Sequence, residues 1–249
     1  MDSDISLLNL HDNNQTWITK TSGPYLICSS PDAADFDLSR IADSTGAPPA
    51  LPSDLLGGRG GIRKHILPGI GPVIIKSYVR GGMIRYFSRS TYLGVGKSRC
   101  QRECENLLTA RNLGVNAPDP VAFITRGRWI YQAWLITREI PHGDSLATLS
   151  LGDEEKARAV LDETIRQLAI LVNNRIFHVD FHPGNVLIGY DGIVYFIDFD
   201  KARNVSLTMT DLCEKYMKRW DRAVKKYHLP SFLSDTFYEK ILKGVGLYS

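Results

Sequence analysis

The spacing of apolar residues changes several times along the chain, and each change marks an element. After Asp153, apolar residues recur at Ala157, Val160, Leu161, Ile165, Leu168 and Val172. Steps of three, four and seven predict a helix with one buried stripe. Asp153, Glu154 and Glu155 fill its first turn, where the helix dipole favours acids. Cys100, Cys104, Leu107 and Leu108 form a second stripe, predicting a helix over 99–113 that Gly114 stops. A third helix, basic on its surface, is expected over 211–227. Runs of strand length lie elsewhere: 62–67 and 72–79 around Pro68-Gly69, 121–125 and 129–138 around Arg126-Gly127, and 186–189 and 194–197 around Tyr190-Asp191-Gly192. Residues 1–56 are poorly defined. Within them 17–19 and 25–28 suit short strands, and 29–53, rich in Asp, Ser, Ala and Pro, reads as loop with one short helix. Residues 140–144 break the pattern and read as a link between an N-terminal lobe, 1–140, and a C-terminal lobe, 141–249. The expected class is α+β, with a β-rich first lobe and a compact, mostly helical second one.

Composition changes this picture little. A chain of 249 residues, 43% apolar and 23% charged, can bury a sizeable core. A formal charge of +3 is too small to argue for nucleic acid, and none is expected as a partner. The four cysteines have no second Cys or His cluster near them, so they read as reduced thiols rather than a zinc site. The N-terminus lacks a signal-peptide pattern, and no apolar run reaches the ~18 residues of a membrane span. A cytoplasmic chain is expected, at most resting on a membrane surface.

The chemistry concentrates in His178-Val179-Asp180-Phe181-His182-Pro183-Gly184-Asn185 and Ile197-Asp198-Phe199-Asp200. Phosphoryl transfer needs positioning, charge neutralisation and metal ions more than covalent help. Asp180 suits the carboxylate that orients a hydroxyl and accepts its proton. Asn185, five residues on, and Asp198, thirteen further, supply oxygens for Mg2+, a hard ion. This is the spacing of the protein-kinase catalytic loop and its metal-binding triplet, with Asp-Phe-Asp in place of Asp-Phe-Gly. A protein-kinase-like bilobal fold using ATP is therefore expected.

The same template reads the first half. Val73-Ile74-Ile75-Lys76 resembles the strand whose Lys reaches the phosphates. Gly58, Arg59, Gly60 and Gly61 precede it as a phosphate-binding loop. Of two candidate partners for Lys76, Glu103 falls beside the apolar stripe of its helix and Glu105 on the far side, so Glu103 is favoured. Residues 135–140 fall where an adenine-binding hinge belongs. Only 49 residues follow Asp200, without an Ala-Pro-Glu segment, so a protein acceptor is not expected.

Three stretches carry a closer resemblance: Lys76-Ser77-Tyr78-Val79-Arg80-Gly81-Gly82; Arg102-Glu103 with Asn112-Leu113-Gly114-Val115-Asn116-Ala117-Pro118; and Ile197-Asp198-Phe199-Asp200-Lys201-Ala202-Arg203. Over 57–203 the chain resembles the lipopolysaccharide-core kinases, most of all those acting on 3-deoxy-D-manno-octulosonic acid (Kdo). The resemblance implies ATP-dependent phosphorylation of a Kdo hydroxyl on a lipid A precursor, at the cytoplasmic face of the bacterial inner membrane. His182-Pro183-Gly184 also resembles kinases for other small acceptors, so heptose, aminoglycoside-like and choline-like alcohols stay open, as does a nucleotide-binding scaffold. Two basic stretches fit an anionic membrane surface: Arg80, Arg85, Arg89, Lys97, Arg99 and Arg102 among aromatics, and Lys215, Lys218, Arg219, Arg222, Lys225 and Lys226 around Tyr216, Trp220, Val224 and Tyr227. The competing reading of the second stretch is a solvated helix whose aromatics pack inward.

Overall fold

The computed structural model describes residues 5–8, 16–44, 61–78, 92–93, 96–127 and 130–246. The chain forms two compact units, Met1–Thr109 with Asp119–Glu139, and Ala110–Pro118 with Ile140–Ser249. Sheet in the first and helices in the second make it α+β.

Among the described residues the first unit holds eight strands: β1 (Ile5–Leu8), β2 (Trp17–Ser22), β3 (Tyr25–Ser29), β4 (Gly61–Leu67), β5 (Gly71–Ser77), β6 (Tyr92–Leu93), β7 (Pro120–Arg126) and β8 (Ile130–Arg138). They form one sheet in the order β1-β2-β3-β7-β8-β5-β4, with β6 added to β8. Period-2 alternation divides the two faces of β5. Val73 and Ile75 are buried on one face with Ile124, Trp134 and Ile136, under Leu38 and Ala42 of helix α1 (Leu38–Ser44). Burying a side chain such as Ile75 stabilises by roughly 1.5–3 kcal/mol. Lys76 points to the other face, where helix α2 (Arg99–Asn112) lies, and there Cys100, Cys104, Leu107 and Leu108 are buried as the stripe requires.

Residues before Gly57 do more than their weak pattern suggests. β2 and β3 extend the sheet, with Ile27 opposite Ile124, and Trp17 stacks on Phe123 at 6.4 Å. β3 is joined to the rest of the sheet by pairing with β7, a strand about a hundred residues away in sequence, where local pattern carries no information.

In the second unit, β9 (His142–Ser145), β11 (Val186–Gly189) and β12 (Val194–Phe196) make a three-stranded sheet, and β10 (Ile176–Phe177) pairs with β13 (Arg203–Asn204). Of residues 140–144, expected as a link, the last three begin the strand β9 edging β11, with Asp144 opposite Ile188 and Ser145 opposite Leu187. Helices α3 (Leu146–Gly152), α4 (Glu154–Asn173), α5 (Met209–Lys226) and α6 (Phe232–Gly244) complete the unit. Asp153 caps α4 by accepting from the Lys156 N–H at 3.0 Å. Asn116 ties residues 110–118 into this unit. Its N–H donates to the buried Gln167 side chain at 2.9 Å, and its carbonyl accepts from the Phe196 N–H at 2.9 Å.

The core here is aromatic. Trp220 of α5 stacks on Phe237 of α6 at 4.5 Å, and Phe181 packs edge-on to Phe196 and Tyr216. This corrects one half of the membrane expectation. Tyr216 and Trp220 are fully buried, and Val224 nearly so, so they are core residues and not lipid anchors. Helical periodicity turns their stripe inward and leaves the lysines outward.

Candidate active site

Phe181 fixes the loop between β10 and β11. With its ring in the aromatic core, the residues beside it, Asp180 and His182, are carried to the rim of that core. Backbone bonds close the turn: Phe181 N–H to the His178 carbonyl at 3.1 Å, and Asn185 N–H to the His182 carbonyl at 2.8 Å. The Asn185 Nδ2 donates across the loop to the Asp180 carbonyl at 2.9 Å. That bond turns the amide so that its Oδ1 is the end available to a cation. The Gly184 N–H donates to His182 Nδ1 at 3.1 Å.

The loop is then tied to the strand end that carries Asp198. The Ile197 N–H donates to the Asn185 carbonyl at 3.0 Å, in register with Val186 opposite Phe196. His178, with no exposed surface, donates from Nε2 to the Ile197 carbonyl at 3.0 Å. Burial pushes its pKa down, so it is a neutral imidazole with a bare Nδ1, and that atom has no partner among the described residues. Its ring meets Phe181 and Phe199 edge-on, at 5.7 and 4.6 Å. Tyr216 accepts from the His178 N–H and donates to the Ile176 carbonyl, both at 2.8 Å. His178 and Tyr216 therefore lock the geometry without facing solvent.

Asp198 adopts φ 64° and ψ 58°, the left-handed region, and opens a short 3-10 turn in which Phe199 is buried. The reversal lets Phe199 plug the core while Asp198 and Asp200 stay at the rim. Asp180 meets two cations: Lys201 Nζ lies 2.8 Å from Oδ2 and Arg219 of α5 lies 3.6 Å from Oδ1. Burial, and after it the Arg219 charge, push the pKa of His182 down to about 4, so it too is neutral near pH 7.

In the first unit, Lys76 on β5 donates to both Glu103 oxygens, at 2.8 and 2.9 Å. Tyr78 also hydrogen-bonds to Glu103, and the Arg99 guanidinium lies over the Tyr78 ring at 5.2 Å. Glu103 is buried, with 3% of its surface exposed, and an ion so buried persists only when paired. Glu105 instead takes Lys97 at 2.8 Å on a more exposed side of α2. Gly61 opens β4 opposite Ser77. Gly58, Arg59 and Gly60 lie outside the described residues, as do Arg80, Gly81 and Gly82.

Sequence reasoning gave no role in the site to Lys201, His178 or Tyr78, and it set Arg219 and Tyr216 in the stretch expected to face a membrane. Arg219 carried a faint signal, since it precedes a buried Trp on a helix whose other cations face out. The oxygens of Asn185 and Asp198 are hard donors and suit magnesium completed by phosphate and water. Among the described residues no group of three His, Cys, Asp or Glu side chains could hold a metal alone, and none of the helices is long and apolar enough to cross a membrane.

Residues 64–229 match the profile of the lipopolysaccharide kinase (Kdo/WaaP) family. Relatives named 3-deoxy-D-manno-octulosonic acid kinase are similar in sequence. The protein of Vibrio parahaemolyticus is 31% identical over 132 residues, 52% of this chain and 55% of that protein. That of Photobacterium profundum is 28% identical over 184 residues, 64% of this chain and 76% of its own length. That of Xanthomonas oryzae pv. oryzae is 29% identical over 221 residues, covering 84% and 86%. The chain thus spans just over half of the first of these relatives and most of the other two.

Proposed function

The chain belongs to the lipopolysaccharide kinase (Kdo/WaaP) family, and from that premise we propose that it transfers the γ-phosphate of ATP to a Kdo hydroxyl on a lipid A-type acceptor. The observation that carries this reading is the Asp180 loop. It is pinned by the Asn185 amide on one side and by His178 bonded to the residue before Asp198 on the other. A rigid loop is what a reaction catalysed by positioning requires.

In this reading Asp180 accepts the proton of the acceptor hydroxyl. The oxygen forms the new bond to phosphorus as the bond to the β-phosphate oxygen breaks, and ADP leaves with that electron pair. Asn185 and Asp198 would hold magnesium, which would supply neutralisation of the phosphate charge. Lys76 orients the phosphates, with Glu103 and Tyr78 holding its ammonium in place. Gly58, Arg59, Gly60 and Gly61 are the proposed cover over the phosphates. Peripheral attachment to an anionic membrane, at the cytoplasmic face of the inner membrane, completes the reading. It rests on exposed cations of α5 such as Lys215, Arg222 and Lys226, and not on its aromatics.

The test is a magnesium-ATP transfer assay that offers a Kdo-bearing lipid A precursor beside aminoglycoside and choline. Phosphate is expected on the Kdo lipid alone. Asp180→Asn is expected to lower turnover about 10²–10⁴-fold while nucleotide still binds, as loss of a general base does. Transfer to an aminoglycoside in preference to the Kdo lipid would overturn the acceptor.

A further inference from the structure

Asp180 presents a difficulty for its proposed role. Lys201 Nζ sits 2.8 Å from Oδ2, occupying one of the oxygens a substrate hydroxyl would approach. Arg219 lies 3.6 Å from Oδ1, within range of an ion pair but beyond a hydrogen bond. One carboxylate thus faces two cations, and among the described residues the guanidinium makes no hydrogen bond at all.

The two cations are mounted differently. Arg219 stands on α5 between Tyr216 and Trp220, both fully buried, so its backbone is fixed, and its side chain is only 23% exposed. A half-buried guanidinium with unused donors is pre-organised for a planar, two-oxygen anion. Lys201 closes the turn after Phe199, and its side chain is 59% exposed, free to swing from Asp180 to another anion. Lys76 and magnesium already meet the phosphates in the reading above. Nothing in that reading meets the carboxylate that an ulosonic acid carries on the reacting sugar.

Resting on that reading, we propose that Arg219 and Lys201 form the subsite for the acceptor's carboxylate, which makes the substrate class a sugar acid. In the free protein Asp180 stands in for this carboxylate. When the acceptor binds, its carboxylate takes the Arg219 fork and draws Lys201 away, which exposes Oδ2 to the hydroxyl. The acceptor's own charge thereby frees the base that acts on it.

The experiment compares a Kdo-bearing lipid A precursor with its methyl ester and carboxamide, using the full chain and the variants Arg219→Gln, Arg219→Lys and Lys201→Gln. The intact protein is expected to favour the acid by about tenfold or more in kcat/KM, the scale of a charge-assisted hydrogen bond. Arg219→Gln should raise the acceptor KM by a similar factor, leave the ATP KM within about twofold, and lose the preference for acid over ester. Arg219→Lys should recover part of it, since a point charge replaces the fork. Lys201→Gln, altered at an exposed position, gives the same comparison should Arg219 variants fold poorly. Equal use of acid and ester by the intact protein would overturn the subsite and leave the proposed function standing. A rise in the ATP KM alone would give Arg219 to the nucleotide phosphates and overturn it also. Failure to phosphorylate any Kdo-bearing acceptor would remove the parent reading and the subsite with it.

Discussion

Asp198, a proposed magnesium ligand, holds a backbone conformation that costs a non-glycine residue about 1 kcal/mol or more. The cost is separable from the carboxylate. Asp198→Gly and Asp198→Ala both remove the oxygens, but only glycine accepts φ 64° without strain. Urea unfolding should find the glycine variant more stable than the alanine variant by about 1 kcal/mol, with magnesium-dependent nucleotide binding lost in both. Equal stability would mean that the turn relaxes at no cost. His182 makes a second residue-scale prediction. Its pKa is held at about 4, below the ~6.5 of an unfolded chain. Between those values the unfolded state binds the extra proton, so this contribution is complete above pH 6.5 and is lost as pH falls toward 4. The slope is on the order of 1 kcal/mol per pH unit. His182→Gln should flatten the fall in urea midpoint between pH 7 and pH 5, and an unchanged slope would assign the loss to other groups.

Within each unit, a polar joint holds two elements together. β5 and α2 meet at Lys76 and Glu103, and Glu103 is too buried to stand unpaired. Lys76→Ala should cost about 3 kcal/mol by removing the cation that neutralises that buried carboxylate and leaving it the Tyr78 hydroxyl, whereas Lys76→Met with Glu103→Leu should restore most of the stability and none of the turnover. Calorimetry beside the transfer assay separates the two roles, and a double variant less stable than Lys76→Ala would contradict the argument. α5 meets β10 through the Tyr216 hydroxyl, which serves both the Ile176 carbonyl and the His178 N–H. Tyr216→Phe should cost about 1–3 kcal/mol because two buried backbone groups lose their partner. Turnover should fall along with stability, since His178 then loses one of its three hydrogen bonds.

Across the whole molecule, the four cysteines share one state although they lie in different parts of the fold. Cys28, Cys100, Cys104 and Cys213 are all buried and free. Burial pushes Cys28 and Cys213 up to about 11 and Cys100 to about 12, so thiolate is scarce at neutral pH. None should react with a thiol reagent on the timescale of a minute in the folded protein, and all four should react in denaturant. Fast labelling of Cys213 alone would show that α5 opens locally. The exposed cations of α5 make a further expectation at this scale. Retention on anionic vesicles should decline with salt, because charge without buried apolar anchors is screened.

Local pattern was enough for α2, α4, α5 and the β4–β5, β7–β8 and β11–β12 hairpins, because periodicity and turn residues act over a few positions. It was also enough to bring Asp180, Asn185 and Asp198 under one hypothesis, since their spacing is a property of one loop and one hairpin. The same reasoning chose Glu103 over Glu105 from helical geometry, and Glu103 is the one bonded to Lys76. What pattern could not supply depended on residues far apart in sequence. The N-terminal ribbon entered the sheet only through β7, and the aromatics of α5 went to the core only because α6 and Phe181 lie against them. Lys201 and Arg219 are ordinary surface-type residues in the sequence. Their meaning comes from Asp180, 21 and 39 positions away, which folding brings within 2.8 and 3.6 Å. Short-range rules write the elements and the reactive loop into the chain. Which charges surround that loop is a long-range outcome, because electrostatic partners are chosen by packing and not by spacing.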